Sequence, residues 1–157
     1  MLKIDRGSKS FSSLDTPTLA DVSITERYDL QEFISNSPEE FFKEIGQQLF
    51  LLGKEVEPSK TVQDRIDLLA VDKEGTCVVV ELKRGNHKLH MLQAISYAGM
   101  ISQWKPDDCL ELLNNDKQET LSDFLEVARE DINRQQRIIL VCRSIRLRSA
   151  YRSRVAQ

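Results

Sequence analysis

Asp67, Glu81 and Lys83 are the residues of this chain whose types and spacing could do chemistry. Glu81 lies fourteen positions after Asp67, and Lys83 two positions further on. If both segments are strands, alternate side chains share a face, so Glu81 and Lys83 point one way and Leu82 the other. A tight turn at Asp72-Lys73-Glu74-Gly75 would bring Asp67 to the same end of the resulting hairpin. Two carboxylates and a lysine would then line one small cleft. Such a set suits phosphodiester hydrolysis. Carboxylate oxygens are hard ligands that hold Mg²⁺ while leaving octahedral positions for water and a phosphate oxygen. Lys83, a compact point charge, would orient that water or offset charge developing in the transition state.

Further side chains could complete the cleft. Gln93 and Tyr97 are four apart in a helical pattern and share a face, so they could hold the lysine, a water or the substrate backbone. Glu26, at the start of another helical pattern, could supply a third carboxylate. Each of these has a plainer reading. Asp…Glu-x-Lys in a charged chain can be a solvated salt bridge on a hairpin. Gln93 and Tyr97 can be ordinary helix contacts, and a glutamate in a first helical turn suits the helix dipole. The run Cys77-Val78-Val79-Val80 weighs against a solvated hairpin, because a strand apolar on both faces belongs at the centre of a sheet.

The elements that must position these residues can be read from pattern. Residues 1–22, rich in Ser and Thr with Pro17, show no sustained period and are expected to be a loosely attached lead-in or a short edge strand. From Thr25, a candidate cap, Tyr28, Leu30, Phe33 and Ile34 recur at helical spacing. Ser37-Pro38-Glu39-Glu40 reads as a second helix start, with Phe41, Phe42, Ile45, Leu49 and Leu52 as its stripe and Gly53 as its stop. A short strand over 54–58 and strands over 65–72 and 76–83 follow. A third helix over 88–103 carries Leu89, Leu92, Ile95 and Tyr97. Leu121, Phe124, Leu125, Ala128 and Ile132 mark another helix, and 137–142 a final strand. This order predicts a three-layer α/β or α+β domain with a mixed sheet, over residues 23–142.

Composition bounds the function. The 157 residues are the length of one domain, and 40% hydrophobic content is enough for a core. With 22 Lys plus Arg against 25 Asp plus Glu, the formal charge is −3, which excludes a histone-like basic binder. No stretch approaches a membrane span and residues 1–10 lack a secretory apolar block, so a cytoplasmic protein is expected. Cys77, Cys109 and Cys142 are odd in number and widely spaced, which argues against a disulfide framework or a zinc site. His87 and His90 lack a third soft ligand nearby and read as surface residues. Charge is unevenly spread. Five of the 22 basic residues, and none of the 25 acids, fall within 143–157, which leaves residues 1–142 at −8. Lys60, Arg65, Lys83, Arg84 and Lys88 could still form a local basic rim for phosphate contacts.

Three strings together resemble a known superfamily: Asp64-Arg65-Ile66-Asp67-Leu68-Leu69-Ala70-Val71-Asp72, Val78-Val79-Val80-Glu81-Leu82-Lys83-Arg84-Gly85, and Gln93-Ala94-Ile95-Ser96-Tyr97-Ala98. They look like the PD-(D/E)xK nuclease core. The Glu81-to-Arg84 strand and the Thr25-Glu26-Arg27-Tyr28-Asp29-Leu30-Gln31 opening are similar to the catalytic domain of NucS-type endonucleases, and Gln93 with Tyr97 to the Gln-x-x-x-Tyr motif of RecB-type nucleases. The resemblance covers residues 25–104. It implies a restriction-endonuclease-like fold and Mg²⁺- or Mn²⁺-dependent cleavage of DNA, with RNA not excluded. Asp67 and Glu81 would be the metal ligands, Lys83 the catalytic lysine, Gln93 and Tyr97 supports, and Glu26 the helix glutamate. Ile66 stands where the motif's proline would be. Cleavage of both strands of a duplex would call for two sites and hence a homodimer. The Arg- and Ser-rich tail over 143–157 departs from the pattern and reads as a truncated or frame-shifted terminus rather than a DNA-binding arm. Two other readings remain: a catalytically inactive nuclease fold that binds nucleic acid or protein, and an interaction module in which Glu81 and Lys83 merely pair.

Overall fold

Gly46 decides where the helical N-terminal part of the domain stops and its sheet begins. The computed structural model describes residues 2–5, 10–13, 29–83 and 88–142, and the side chains of 2–5, 10–13, Lys83, Lys88 and Cys142 lie outside the description. Helix α1 spans Gln31–Asn36 and α2 spans Pro38–Glu44, with Pro38 in the first turn, where its missing N–H costs nothing. Ser37 is the N-cap by position, but its side chain makes no capping bond. At the other end Gly46 adopts φ +73°, its N–H donates to the Lys43 carbonyl at 3.1 Å, and the Gln47 N–H reaches the Phe42 carbonyl at 2.7 Å. That is a Schellman stop. Leu49 and Leu52, expected on this helix, therefore lie beyond it, and Leu52 belongs to strand β3, Phe50–Val56. Gly53 is not a helix stop. It sits at a register shift in β3, where a Cβ would meet Val56 Cγ2 at 2.9 Å.

Strands β4, Ile66–Val71, and β5, Cys77–Lys83, form the expected hairpin. Its turn is closed by Asp72 N–H to the Thr76 carbonyl, Gly75 N–H to the Asp72 carbonyl, and Thr76 N–H to Asp72 Oδ1 at 2.8 Å. Gly75 has φ +81°, and a Cβ there would meet the Asp131 carbonyl and Val127 Cγ2 at 3.1 Å. A crossover containing α3, Lys88–Ile101, α4, Pro106–Leu110, and α5, Asn115–Phe124, leads to β6, Gln136–Cys142, which pairs with β5 in parallel. A parallel pair needs such a connection. The sheet order is β3-β4-β5-β6, antiparallel except for the last pair. The chain is thus a mixed α and β protein built on a four-stranded mixed sheet.

Every residue of β4 is buried, as are Cys77 to Leu82 of β5, so the central pair is covered on both faces. On one face the cross-strand pairs Leu69 with Val79 and Val71 with Cys77 join Ala94, Tyr97 and Ile101 of α3 in the main core. Each of the Leu, Val and Ile side chains among them contributes about 1.5–3 kcal/mol by leaving water. Cys77 and Cys109 meet there as buried free thiols, 3.7 Å apart. Asn133, 6% exposed, donates to the carbonyls of Ile101 and Trp104 and so satisfies the end of α3.

Two apolar stripes differ from expectation. Leu89, Leu92 and Ile95 are 73%, 63% and 48% exposed; of the expected stripe Tyr97 alone is buried, and it shares the core face of α3 with Ala94 and Ile101. The helix is apolar on most sides, so periodicity could not choose a face. Helix α5 ends at Phe124, because Leu125 turns extended and Arg129–Asp131 form a separate 3-10 turn. Ala128 and Ile132 therefore lie outside it.

Two compact units are present, Met1–Thr25 with Ser144–Gln157, and Glu26–Arg143. In the first, β1, Leu2–Asp5, pairs antiparallel with β2, Ser10–Ser13, as a two-stranded sheet of its own. The second contains every other element named above. No described helix is long and apolar enough to cross a membrane.

Candidate active site

The register of the β4–β5 hairpin places the two candidate carboxylates side by side. Leu68 pairs with Val80, and one step further along both strands Asp67 stands across from Glu81. Directly opposed residues project to the same face. Asp67 is 5% exposed and Glu81 1%. Glu81 Oε1 lies 3.4 Å from the Asp67 backbone N–H, and Asp67 Oδ2 accepts from the Leu82 backbone N–H at 2.8 Å. Each carboxylate thus reaches the main chain of the other's strand, which fixes both in place. Two opposed buried carboxylates are costly if both are ionised. A pair of this kind is held by the surrounding fold and by groups that interact specifically with the charges.

One of those groups is a residue that sequence reasoning passed over. Gln31, in the first turn of α1 and 4% exposed, donates from Nε2 to Asp67 Oδ1 at 2.9 Å. Each Asp67 oxygen therefore accepts at least one hydrogen bond. The signal was a glutamine inside the apolar pattern of Leu30, Phe33 and Ile34. Ile34 of that pattern is buried as expected, but Gln31 shares its face while Phe33 is 59% exposed.

Helix α3 brings Gln93 and Tyr97 to the same region. Gln93 Nε2 donates to the Tyr97 hydroxyl oxygen at 2.6 Å, so the two share a face and bond one another. Tyr97 is 2% exposed. Its phenol is pushed up to about 12, chiefly by burial. The Gln93 hydrogen bond opposes the shift, and the negative charges of Asp64, Glu81 and Asp67 add to it. The phenol therefore feels both candidate carboxylates. Asp64, exposed and three residues before Asp67, is a further acid of this neighbourhood that spacing alone did not single out.

The remaining candidates are dispersed or lie outside the described residues. Lys83 occupies the end of β5, opposite Cys142 of β6. Glu26 and Arg84 are outside the described residues, and Lys88 is described only as the first backbone position of α3. Arg65 is exposed and paired with Glu57 at 2.7 Å, and Lys60 is exposed. The tail over 143–157 and His87 also fall outside the described residues, while His90 is half-buried.

Among the described residues no group of three or more His, Cys, Asp or Glu side chains is placed to hold a metal ion. Mg²⁺ does not require one, because it is commonly bound through one or two carboxylates, with water and substrate phosphate completing its shell. Asp67 and Glu81 present oxygen donors only, and this donor set fits Mg²⁺ or Mn²⁺ better than a soft metal. No protein-family model matches the chain, and no curated protein or solved structure matches it.

Proposed function

We propose that the chain is a metal-dependent DNA endonuclease of the PD-(D/E)xK type, hydrolysing phosphodiester bonds. The observation that carries this reading is the pair of buried carboxylates, Asp67 and Glu81, set across adjacent strands with both faces of the hairpin covered. The mixed sheet flanked by helices is the architecture that the sequence resemblance implies, and it supports the finer assignment to a restriction-endonuclease-like core. Asp67 and Glu81 would hold Mg²⁺ or Mn²⁺. Once bound, the ion would lower the pKa of a water and polarise the phosphate.

The chain's own residues supply orientation and charge. Gln31 and the Leu82 N–H hold the Asp67 carboxylate in one rotamer, so little reorganisation is needed when a ligand arrives. Glu81 is positioned by the Asp67 N–H. Tyr97 keeps its proton at neutral pH, and because Gln93 already donates to its oxygen, the phenol O–H remains a donor. Lys83, two residues past Glu81 on the same strand, is assigned the role of neutralising charge on the scissile phosphate.

Calorimetric titration with Mn²⁺ tests the metal site. The wild type is expected to bind, and a folded Asp67→Asn, Glu81→Gln variant to lose that binding. Nicking of supercoiled DNA with Mg²⁺ tests the reaction: activity is expected in the wild type and none in Lys83→Ala, which should keep its Mn²⁺ binding. Absence of Mn²⁺ binding in the wild type would sink the reading. Binding without nicking of DNA or RNA would leave an inactive nuclease fold.

A further inference from the structure

At the turn end of the sheet lies a second feature with the properties of a ligand site. Asp67 and Val71 are four residues apart along β4, about 13 Å at roughly 3.3 Å per residue, and the feature sits beyond Val71. It is a cavity of about 740 Å³ between α2, the start of β3, the β4–β5 turn and α5. That volume lies within the range of small-molecule pockets, about 300–1,000 Å³. Its apolar surface includes Phe42, Leu49, Phe50 and Phe124, and the Phe50 and Phe124 rings stand 5.8 Å apart at 45°. Lys43, Lys73 and Lys117 also line it, against one carboxylate, Glu39.

The lysines reverse the local sign of a chain that carries −8 over residues 1–142. Lys73 is engaged by Glu126 at 2.9 Å. Among the described residues neither Lys43 nor Lys117 has an ion-pair or hydrogen-bond partner for its ammonium group. Three ammonium groups around one aromatic hollow ask for a ligand with two parts. A flat apolar body would pack against the Phe50 and Phe124 rings. More than one negative charge would meet the lysines, which bind phosphate as point charges. Inorganic phosphate leaves the apolar volume empty, and a fatty acid brings one charge for two lysines, Lys43 and Lys117, that lack an ion-pair partner among the described residues.

We propose that this cavity binds a nucleoside mono- or diphosphate, with the base against Phe50 and Phe124 and the phosphates on Lys43, Lys73 and Lys117. The proposal does not rest on the nuclease reading, because the cavity lies at the opposite end of the strands from Asp67 and Glu81.

Calorimetry with ADP, on the full chain in EDTA, tests it. ADP is expected to bind at least about tenfold more tightly than adenosine or inorganic phosphate, since each lacks one part of the ligand. Lys43→Ala combined with Lys117→Ala, both exposed and therefore tolerated by the fold, is expected to weaken ADP at least about tenfold and to flatten its salt dependence. The Asp67→Asn, Glu81→Gln variant should bind ADP as the wild type does. No binding at millimolar ADP, equal binding of ADP and phosphate, or unchanged affinity in the lysine variant would each overturn the proposal. Loss of ADP binding in the carboxylate variant would place the nucleotide elsewhere and overturn it too.

Discussion

Gln31 and Tyr97 show how the candidate site depends on side chains other than those that define it. The Gln31 amide donates to Asp67 Oδ1 from thirty-six residues away in the sequence. Removing it takes away a hydrogen bond to a buried charged group, worth about 1.5–3 kcal/mol. Gln31→Ala is therefore expected to lower the unfolding free energy by about that amount, measured by urea denaturation in EDTA; a loss below about 0.5 kcal/mol would show that the bond is not maintained. The Tyr97 phenol gives a second test at this scale. Its folded value, about 12, lies above the ordinary tyrosine value of 10. The folded state therefore retains the proton that the unfolded chain gives up. Its contribution to stability is complete below pH 10 and disappears as pH rises through 12. Ultraviolet titration of wild type against Tyr97→Phe should show one tyrosinate appearing near pH 12, and thermal stability between pH 10 and 12 should fall less steeply in the variant. A difference spectrum that titrates at pH 10 would contradict the assignment. Asp67 and Glu81 themselves were legible, because strand alternation and a recognisable turn are local rules. Gln31 was not, since a glutamine next to apolar residues on a short helix reads as solvent face until the sheet beneath it is known.

At the scale of elements, glycines separate what was readable from what was not. Gly75 lies in a turn that the sequence announces, and its positive φ and close neighbours explain why a side chain does not fit there. Gly75→Ala is expected to cost about 1–3 kcal/mol from backbone strain and crowding against residues 127–132. Thermal denaturation checks this; an unchanged melting temperature would mean that the turn can refit. Gly46 and Gly53 were harder. Both follow apolar residues at helical spacing, and a stripe from Phe41 to Leu52 satisfies the helix period without revealing that the chain leaves it after Glu44. The left-handed φ at Gly46 ends the helix, and pairing with β4 then claims Phe50–Val56 as strand. Helix α3 occupies nearly the expected range, but of its expected stripe Tyr97 alone is buried, because a helix apolar on most sides carries no directional signal.

Over the whole domain, the sheet collects residues that sequence distance keeps apart. Cys77 and Cys109 are thirty-two residues apart, yet their sulfurs lie 3.7 Å from each other in the core, 1% and 0% exposed. The Cys77 thiol is pushed up by its hydrogen bond with Cys109 and by burial. Since the thiolate is the reactive form, Cys77 should resist iodoacetamide in the folded protein, and Cys109, 0% exposed, is out of the reagent's reach; both should react on unfolding. Peptide mass mapping before and after guanidinium treatment measures this; equal labelling of Cys77 in both conditions would show that the core opens readily at that edge. The sequence by itself determined the hairpin, the helix that follows it, the closing strand and the two carboxylates, because period, turn chemistry and cap residues act over a few positions. Only the tertiary structure decided which face of α3 is buried, that Gln31 holds Asp67, that two distant cysteines meet, and that three lysines surround one aromatic cavity. Those outcomes depend on how the sheet and helices pack, and packing joins residues whose separation in the chain carries no local signal.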